Sequence, residues 1–263
     1  MTSEESSPKA PGLILAMGGA EERLQIVLGK PEGDSYRMLA SREWNVPGES
    51  NRFLTPGLKD MLDSFGLSMS DIDRVACVRG PGSFTGLRLV LAAAEGLAAG
   101  CGAKLAGIDH LRYLASGPAQ ITNGILHVVT YARRGIVYIQ SFNVPSMREA
   151  QPLTYLPVEE AVERIKAISD TAMIMGSGLR KNIDYFQNLA ETNQGFTLLP
   201  KAWDTPSPEV LLEAAVAADY SEDSIEPCYV RASDAEDNLP FIAKKRGLDP
   251  EKAKQRLKEL QQS

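Results

Sequence analysis

The sequence predicts an α/β protein whose mixed β-sheets are flanked by helices. Three observations carry this. Short apolar runs such as "GLILAM" (12–17) and "LQIVLG" (24–29) end in polar or glycine-bearing turns, as strands do. Stretches between such runs place their apolar residues at helical spacing. The order is three strands, a helix, a strand and a helix, and the second half repeats it more loosely.

The opening "MTSEESSPKAPG" is polar, lacks the apolar core of a signal peptide, and predicts disorder over residues 1–11. The runs 12–17 and 24–29 read as strands joined by a turn, and "DSYRMLA" (34–40) as a third. In "SNRFLTPGLKDMLDSFG", Leu54, Leu58, Met61, Leu62 and Phe65 share a helical face; Pro56 lies near the start, and Gly66 closes the helix in the left-handed conformation. "DIDRVACVR" (71–79) is a fourth strand, and 85–99 a second helix. This is the pattern of a ribonuclease-H-like lobe, residues 12–108.

A second lobe, 109–206, follows. "ILHVVT" (125–130) and "GIVYIQSF" (135–142) flank a "YARR" turn. Residues 157–169 form a helix with Pro157 in its first turn. "TAMIMGSG" (171–178) is a strand ending in a Gly-Ser-Gly turn, and a helix follows Leu179. Asp109 is placed to cap the helix that opens this lobe. The helix 207–218, with Ser207 as N-cap and Pro208 next, is expected to return to the first lobe. Residues 235–263 form a basic tail that includes Lys244, Lys245, Arg246, Lys252, Lys254, Arg256 and Lys258. It reads either as a solvated helix or as a contact for a phosphate backbone.

The 263 residues are 43% apolar, enough for a sizeable core in one large domain or two lobes. A net charge of −6 does not suit a chain that binds nucleic acid by bulk electrostatics. The apolar run Leu89–Ala94 is far shorter than a membrane span, so no membrane is expected. Three widely spaced cysteines, Cys77, Cys101 and Cys228, read as thiols in a reducing cytoplasm. His110 and His127 are the only histidines, there is no C-x-x-C, and no metal site or catalytic set is expected. His127 reads as a core residue.

The most informative stretch is "VRGPGSFTGLRLVLAAAEGLAAG" (78–100). Gly80, Pro81, Gly82, Ser83, Phe84, Thr85 and Gly86, with Arg88 behind them, stand between a strand and a helix, the setting of an anion-binding loop. The loop lacks Gly-Lys-Ser/Thr, its glycine spacing is not that of a dinucleotide fingerprint, and no acid for magnesium lies within it. The other reading is a tight turn whose glycines adopt conformations, or make contacts, that a side chain would block.

These residues also carry a resemblance. "GPGSFTGLR" before an Ala/Gly-rich helix is similar to the signature of the TsaB (YeaZ) family, also called glycoprotease-like or peptidase M22-like. "YARRGIVY" (131–138), "MGSG" (175–178) and "EPCYVRASDAE" (226–236) resemble further family segments, so the likeness spans roughly 12–236. It implies a two-lobed actin/hexokinase-like fold with ribonuclease-H-like lobes. It also implies a non-catalytic scaffold and activator of TsaD in tRNA N6-threonylcarbamoyladenosine modification. The implied partners are a TsaD-like catalytic subunit and a TsaE-like ATPase, with a homodimer when alone and tRNA only indirectly; Arg133 and Arg134 read as turn charges or tRNA contacts. No resident cofactor is implied, and a nucleotide at a partner interface stays open. Rival readings are an M22-type hydrolase and a nucleotide-binding sensor using the Gly80–Gly86 loop. The family's Asp and Thr after the first strand are Gly18 and Gly19 here, its hairpin Asp is Tyr131 and its hairpin Glu is Ile136, which predicts a cleft poorer in acids.

On a helical wheel, Leu87, Val90, Leu91, Ala94, Leu97 and Ala98 share the face expected on the sheet. Leu89, Ala92, Ala93, Gly96, Ala99 and Gly100 share the opposite face, flanked by Arg88 and Glu95. A surface of small apolar residues lets a second helix approach closely. That helix is either 50–65 of the same chain or a partner's, and Leu54, Leu58 and Met61 are placed to extend the patch in the latter case.

Overall fold

A computed structural model describes residues 12–33, 35–230, 243–245, 249 and 251–252. The expectation for residues 1–11 and most of that for the basic tail lie outside the described residues. The chain divides into two units, Met1–Cys228 and Tyr229–Ser263. In the second unit, residues 243–245 and 251–252 are helical, with Lys244, Lys245 and Lys252 exposed.

The first lobe of the larger unit runs β1 (Leu13–Gly18), β2 (Arg23–Glu32), β3 (Ser35–Asn45), α1 (Leu54–Asp63), β4 (Ile72–Gly80), α2 (Phe84–Cys101) and β5 (Lys104–Asp109). Its sheet has the order β3-β2-β1-β4-β5, antiparallel from β1 to β3 and parallel from β1 to β5. After α3 (His110–Ala119) the second lobe runs β6 (Gly124–Arg133), β7 (Ile136–Val144), β8 (Arg148–Pro157), α4 (Val158–Ile168), β9 (Ala172–Met175), α5 (Ser177–Lys181), α6 (Ile183–Thr192) and β10 (Phe196–Leu198). Its order, β10-β9-β6-β7-β8, is the same scheme: an antiparallel meander, then two parallel strands. This is the two-lobed α/β class the sequence predicts. The last helix, α7 (Pro208–Val216), crosses back and packs on β1, β2 and β3, while α3 touches β6 and β7 as well as β4.

Central strands are apolar on both faces because both are covered. All of β1 is buried: Leu13, Leu15 and Met17 face α1 and α2, and Ile14 and Ala16 face α7. The edge strands β3 and β8 bury far less of their length, so apolar runs understate them. β3 continues to Asn45 rather than ending near 40, because the polar Ser41, Arg42 and Glu43 still pair with β2. The expectations also omit β5 and the edge strands β8 and β10.

Gly66 does close α1's end with φ +64. Two expected caps differ. The Ser207 hydroxyl makes no capping bond, though its carbonyl accepts the Leu211 N–H at 3.3 Å. Asp109 makes no cap either, because its carboxylate accepts from Arg79 Nε at 2.8 Å. In the "YARR" segment the strand continues to Arg133, and the turn falls at Arg134 and Gly135. α2 is long and apolar enough to cross a membrane, contrary to the impression from its uninterrupted apolar run. It joins neighbouring strands of one sheet and buries Leu87, Val90, Leu91 and Ala94 in the core.

Candidate functional site

The glycine loop packs. Gly80 ends β4 at φ +111, a left-handed backbone that favours glycine. Gly82 is not left-handed; its constraint is space. A Cβ there would lie 2.1 Å from Ala20 O, and one at Gly86 2.1 Å from Gly19 O. The loop is thus pressed on the β1–β2 turn, with Ser83 N–H donating to Ala20 O at 2.6 Å. Ser83 Oγ accepts from Gly86 N–H at 3.3 Å and caps α2. Two amide donors that an anion would use are therefore engaged within the protein. Arg88 lies over the Phe84 ring, 3.7 Å from its centroid, and Thr85 is exposed. Gly19 is part of the same fit: a side chain there would begin 2.9 Å from Val90.

The cleft between the lobes carries two acids, Glu21 and Asp204, beside Gly18. Glu21, from the β1–β2 turn, accepts a hydrogen bond from Ser177 Oγ at the start of α5. Its other oxygen lies 3.6 Å from His110 Nε2 on α3. Burial pushes the Glu21 carboxyl up, but hydrogen bonding and charge from His110, with help from Ser177 and Lys181, outweigh it and hold the group below the usual carboxylate value. Ser177 Oγ also accepts the Tyr131 N–H at 2.9 Å. Glu22 pairs with Lys181 at 3.7 Å. Asp204 accepts from Arg180 at 2.8 Å and from Gly176 N–H at 2.9 Å. Below, Tyr113 donates to Gln25 at 2.7 Å, and Gln25 donates to Glu43.

The cavity bounded by Gly18, Glu21, Gln25, His110, Tyr113 and Asp204 holds about 50 Å³. Small-molecule sites usually offer roughly 300–1,000 Å³. An open groove of about 450 Å³ adjoins it at Arg23, Glu43 and Lys201, where Arg23 and Glu43 pair at 2.7 Å. His127 lies deep in β6 with Nδ1 2.7 Å from Ser141 Oγ, and burial lowers its pKa to about 4. The three cysteines are free thiols, with Cys77 buried. Among the described residues no cluster of three or more His, Cys, Asp or Glu side chains is placed to hold a metal.

Among the described residues nothing covers the outer face of α2. Ala92, Gly96, Ala99 and Gly100 are exposed, Leu89 and Ala93 half-buried, and a Cβ on Gly96 or Gly100 would meet nothing within 4 Å. Helix α1 does not cover this face. Leu54, Leu58 and Met61 are 3%, 2% and 2% exposed, packed with Leu62 into the first lobe's core, and so do not extend the patch; Phe65, expected on the same face, lies beyond the end of α1 and is exposed. Leu97 and Ala98, expected to be buried, lie at the core's margin. Glu95 proves structural: it accepts from Ile225 N–H at 3.0 Å and Ser224 Oγ at 3.2 Å. That clasp holds a strap, 221–228, whose Ser221 bridges to Leu105 and whose Cys228 N–H donates to Arg79 O at 2.8 Å. A lone Glu on a helix flank carries no sequence signal of such a contact. Arg133 and Arg134 are both exposed at the β6–β7 hairpin, Arg133 with its guanidinium 6.0 Å from the Tyr155 ring centre.

Comparison with known proteins places this arrangement. Residues 49–180 match the family model described as TsaD, tRNA N6-adenosine threonylcarbamoyltransferase. The tRNA threonylcarbamoyladenosine biosynthesis protein TsaB of Escherichia coli (strain K12) is 30% identical over 204 residues, covering 74% of this chain and 86% of that protein. A tRNA N6-adenosine threonylcarbamoyltransferase of Solidesulfovibrio magneticus is 42% identical over 73 residues, 28% of this chain and 18% of that one. Among solved structures, an uncharacterized Pseudomonas aeruginosa protein with similarity to peptidase YEAZ superposes with a TM-score of 0.66 at 25% identity, over 84% of this chain and all of that one. With its glycine loop, its paired lobes and a relative matched over most of both lengths, the chain belongs to the TsaB (YeaZ) family.

Proposed function

We propose that this protein takes part in tRNA threonylcarbamoyladenosine formation as a non-catalytic partner that docks a TsaD-like threonylcarbamoyltransferase through the outer face of α2. The observation that carries this reading is the bare stripe Ala92, Gly96, Ala99 and Gly100. A solvated helix surface is normally charged, whereas this one is small enough for a helix to approach near the short end of the 8–10 Å range. Support also comes from the TsaD family model itself: a partner built on a similar scheme would present a similar helix, and helix would meet helix across a pseudo-two-fold axis. The same self-complementarity would give a homodimer when the chain is alone. A TsaE-like ATPase completes the proposed set; tRNA is held chiefly by those partners, and the exposed Arg133 and Arg134 are the points where this chain would approach it.

The M22-type hydrolase reading gains nothing from the two histidines, one bonded to Ser141 and the other facing Glu21. The sensor reading gains nothing from a loop whose Ser83 and Gly86 amides are already bonded. The test is a leave-one-out assay of tRNA modification with this chain, a TsaD-like enzyme and a TsaE-like ATPase. Modification is expected to fail without this chain. Undiminished modification in its absence would overturn the proposal.

A further inference from the structure

We propose that the β1–β2 turn, Gly18–Glu22, is an interlobe clasp in which Glu21 holds the two lobes closed and lets them part when its charge is lost. On the first-lobe side the turn is immobilised. Ser83 N–H is bonded to Ala20 O at 2.6 Å, and the Gly82 and Gly86 backbones are fitted against Ala20 and Gly19. Beyond the first lobe the turn makes a few polar contacts: Glu21 to Ser177 and, at 3.6 Å, to His110 Nε2 on α3, and Glu22 to Lys181 at 3.7 Å. Ser177 is itself fixed by the Tyr131 N–H at 2.9 Å, so the clasp reaches the end of β6. An element bolted on one side and held on the other by one carboxylate's contacts and one exposed ion pair is the natural place for two lobes to separate.

His110 faces the joint from α3: its side chain is 7% exposed, its Nε2 lies 3.6 Å from Glu21, and it lines the small cavity beside Glu21. Buried polar groups are ordinarily bonded. The cavity volume of about 50 Å³ has room for a solvent molecule that would serve both groups.

The groups around Glu21 are His110 on α3, Ser177 and Lys181 on α5, Arg23 on its own strand, and Asp204, whose carboxylate is held by Arg180. Because Glu21 sits below the ordinary carboxylate value when folded, the clasp is fully present above that ordinary value. It is lost as pH falls through the lower, folded value. The lobes are therefore closed at neutral pH.

The test uses the full chain and the substitutions Glu21→Gln, Ser177→Ala and, as control, Glu22→Gln. Hydrogen exchange at pH 7 is read at the 18–22 turn and at Tyr131. A charged hydrogen bond lost from a partly buried site predicts exchange about tenfold faster or more in Glu21→Gln. Ser177→Ala should follow it, and Glu22→Gln should change little, since its ion pair is exposed. Small-angle scattering should show the wild type expanding between pH 7 and acid, and Glu21→Gln already expanded at pH 7. Wild-type exchange in Glu21→Gln overturns the proposal. If Glu21→Gln unfolds the lobes, Ser177→Ala decides: a folded Ser177→Ala protein with wild-type exchange also overturns it.

Discussion

Two glycine turns do the same job in the two lobes and lead to different helices. In the first lobe, β4 ends at Gly80 and the loop packs on the Gly19–Ala20 backbone beside β1. In the second, β9 ends at Gly176, φ +110, and a Cβ there would lie 2.3 Å from Val129 O in β6, the strand equivalent to β1. Gly178 is fitted against Thr130 in the same way, at 2.9 Å. Beyond the turns the likeness ends. α2 continues unbroken from Phe84 to Cys101 and shows small apolar residues outside. The corresponding segment breaks at Asn182 into α5 and α6, and α6 exposes Asp184, Gln187, Asn188 and Glu191. One topology thus supplies one helix whose outer face is polar and one whose outer face is small and apolar.

The largest expected effect tests the likeness. Gly82→Val and Gly176→Val each drive a side chain into a backbone oxygen. Overpacking of this kind costs about 3 kcal/mol, roughly 6–12 °C of melting temperature for a chain of this size. Scanning calorimetry checks it. A wild-type melting point for either variant would show that the two turns are not equivalent.

Next comes the difference. Ala92→Arg or Gly96→Trp should weaken binding to a TsaD-like partner and self-association at least a hundredfold, about 2.7 kcal/mol. Folding should stay within about 0.5 kcal/mol of wild type, and Gln187→Arg on α6 should change neither. Analytical ultracentrifugation and titration calorimetry read these outcomes. Equal effects from both helices would erase the contrast; intact binding in Ala92→Arg would put the interface on another surface.

A smaller effect lies where the two lobes meet. Glu21→Gln should lower stability at neutral pH by about 1–2 kcal/mol. Wild-type stability should decline as the solution is acidified through Glu21's lowered range, and the variant should lose that part of the decline. Parallel pH profiles from chemical denaturation would contradict this. Smallest of all, Arg133→Ala with Arg134→Ala should leave folding unchanged. It should shallow the salt dependence of tRNA binding by the assembled complex by a slope of at most about 2. An unchanged slope would remove the hairpin from the tRNA path.

Much of the first lobe is readable without coordinates, because a buried face imposes its period on the residues that form it. β1, β2 and α1 follow from their apolar patterns, and α2's small outer face follows from its wheel. The "GPGSFTG" loop is recognisable as a strand-to-helix turn, but its two readings differ only in what the amides meet, and that is the carbonyl of Ala20 some sixty residues earlier. Leu54, Leu58 and Met61 show the same limit: the sequence marks them as one apolar face and does not say whether sheet or solvent lies against it.

By itself, then, the sequence determined the class of fold, most central strands and helices, and the family, because periodicity and a dense local motif are properties of neighbours along the chain. Tertiary structure alone decided the site. Glu21 meets Ser177 across 156 residues, Glu95 clasps Ile225 across 130, and Asp109 turns from its helix to Arg79. Each is an isolated polar contact with no repeat, closed only when segments distant in the chain have come together, so nothing in the local pattern records it.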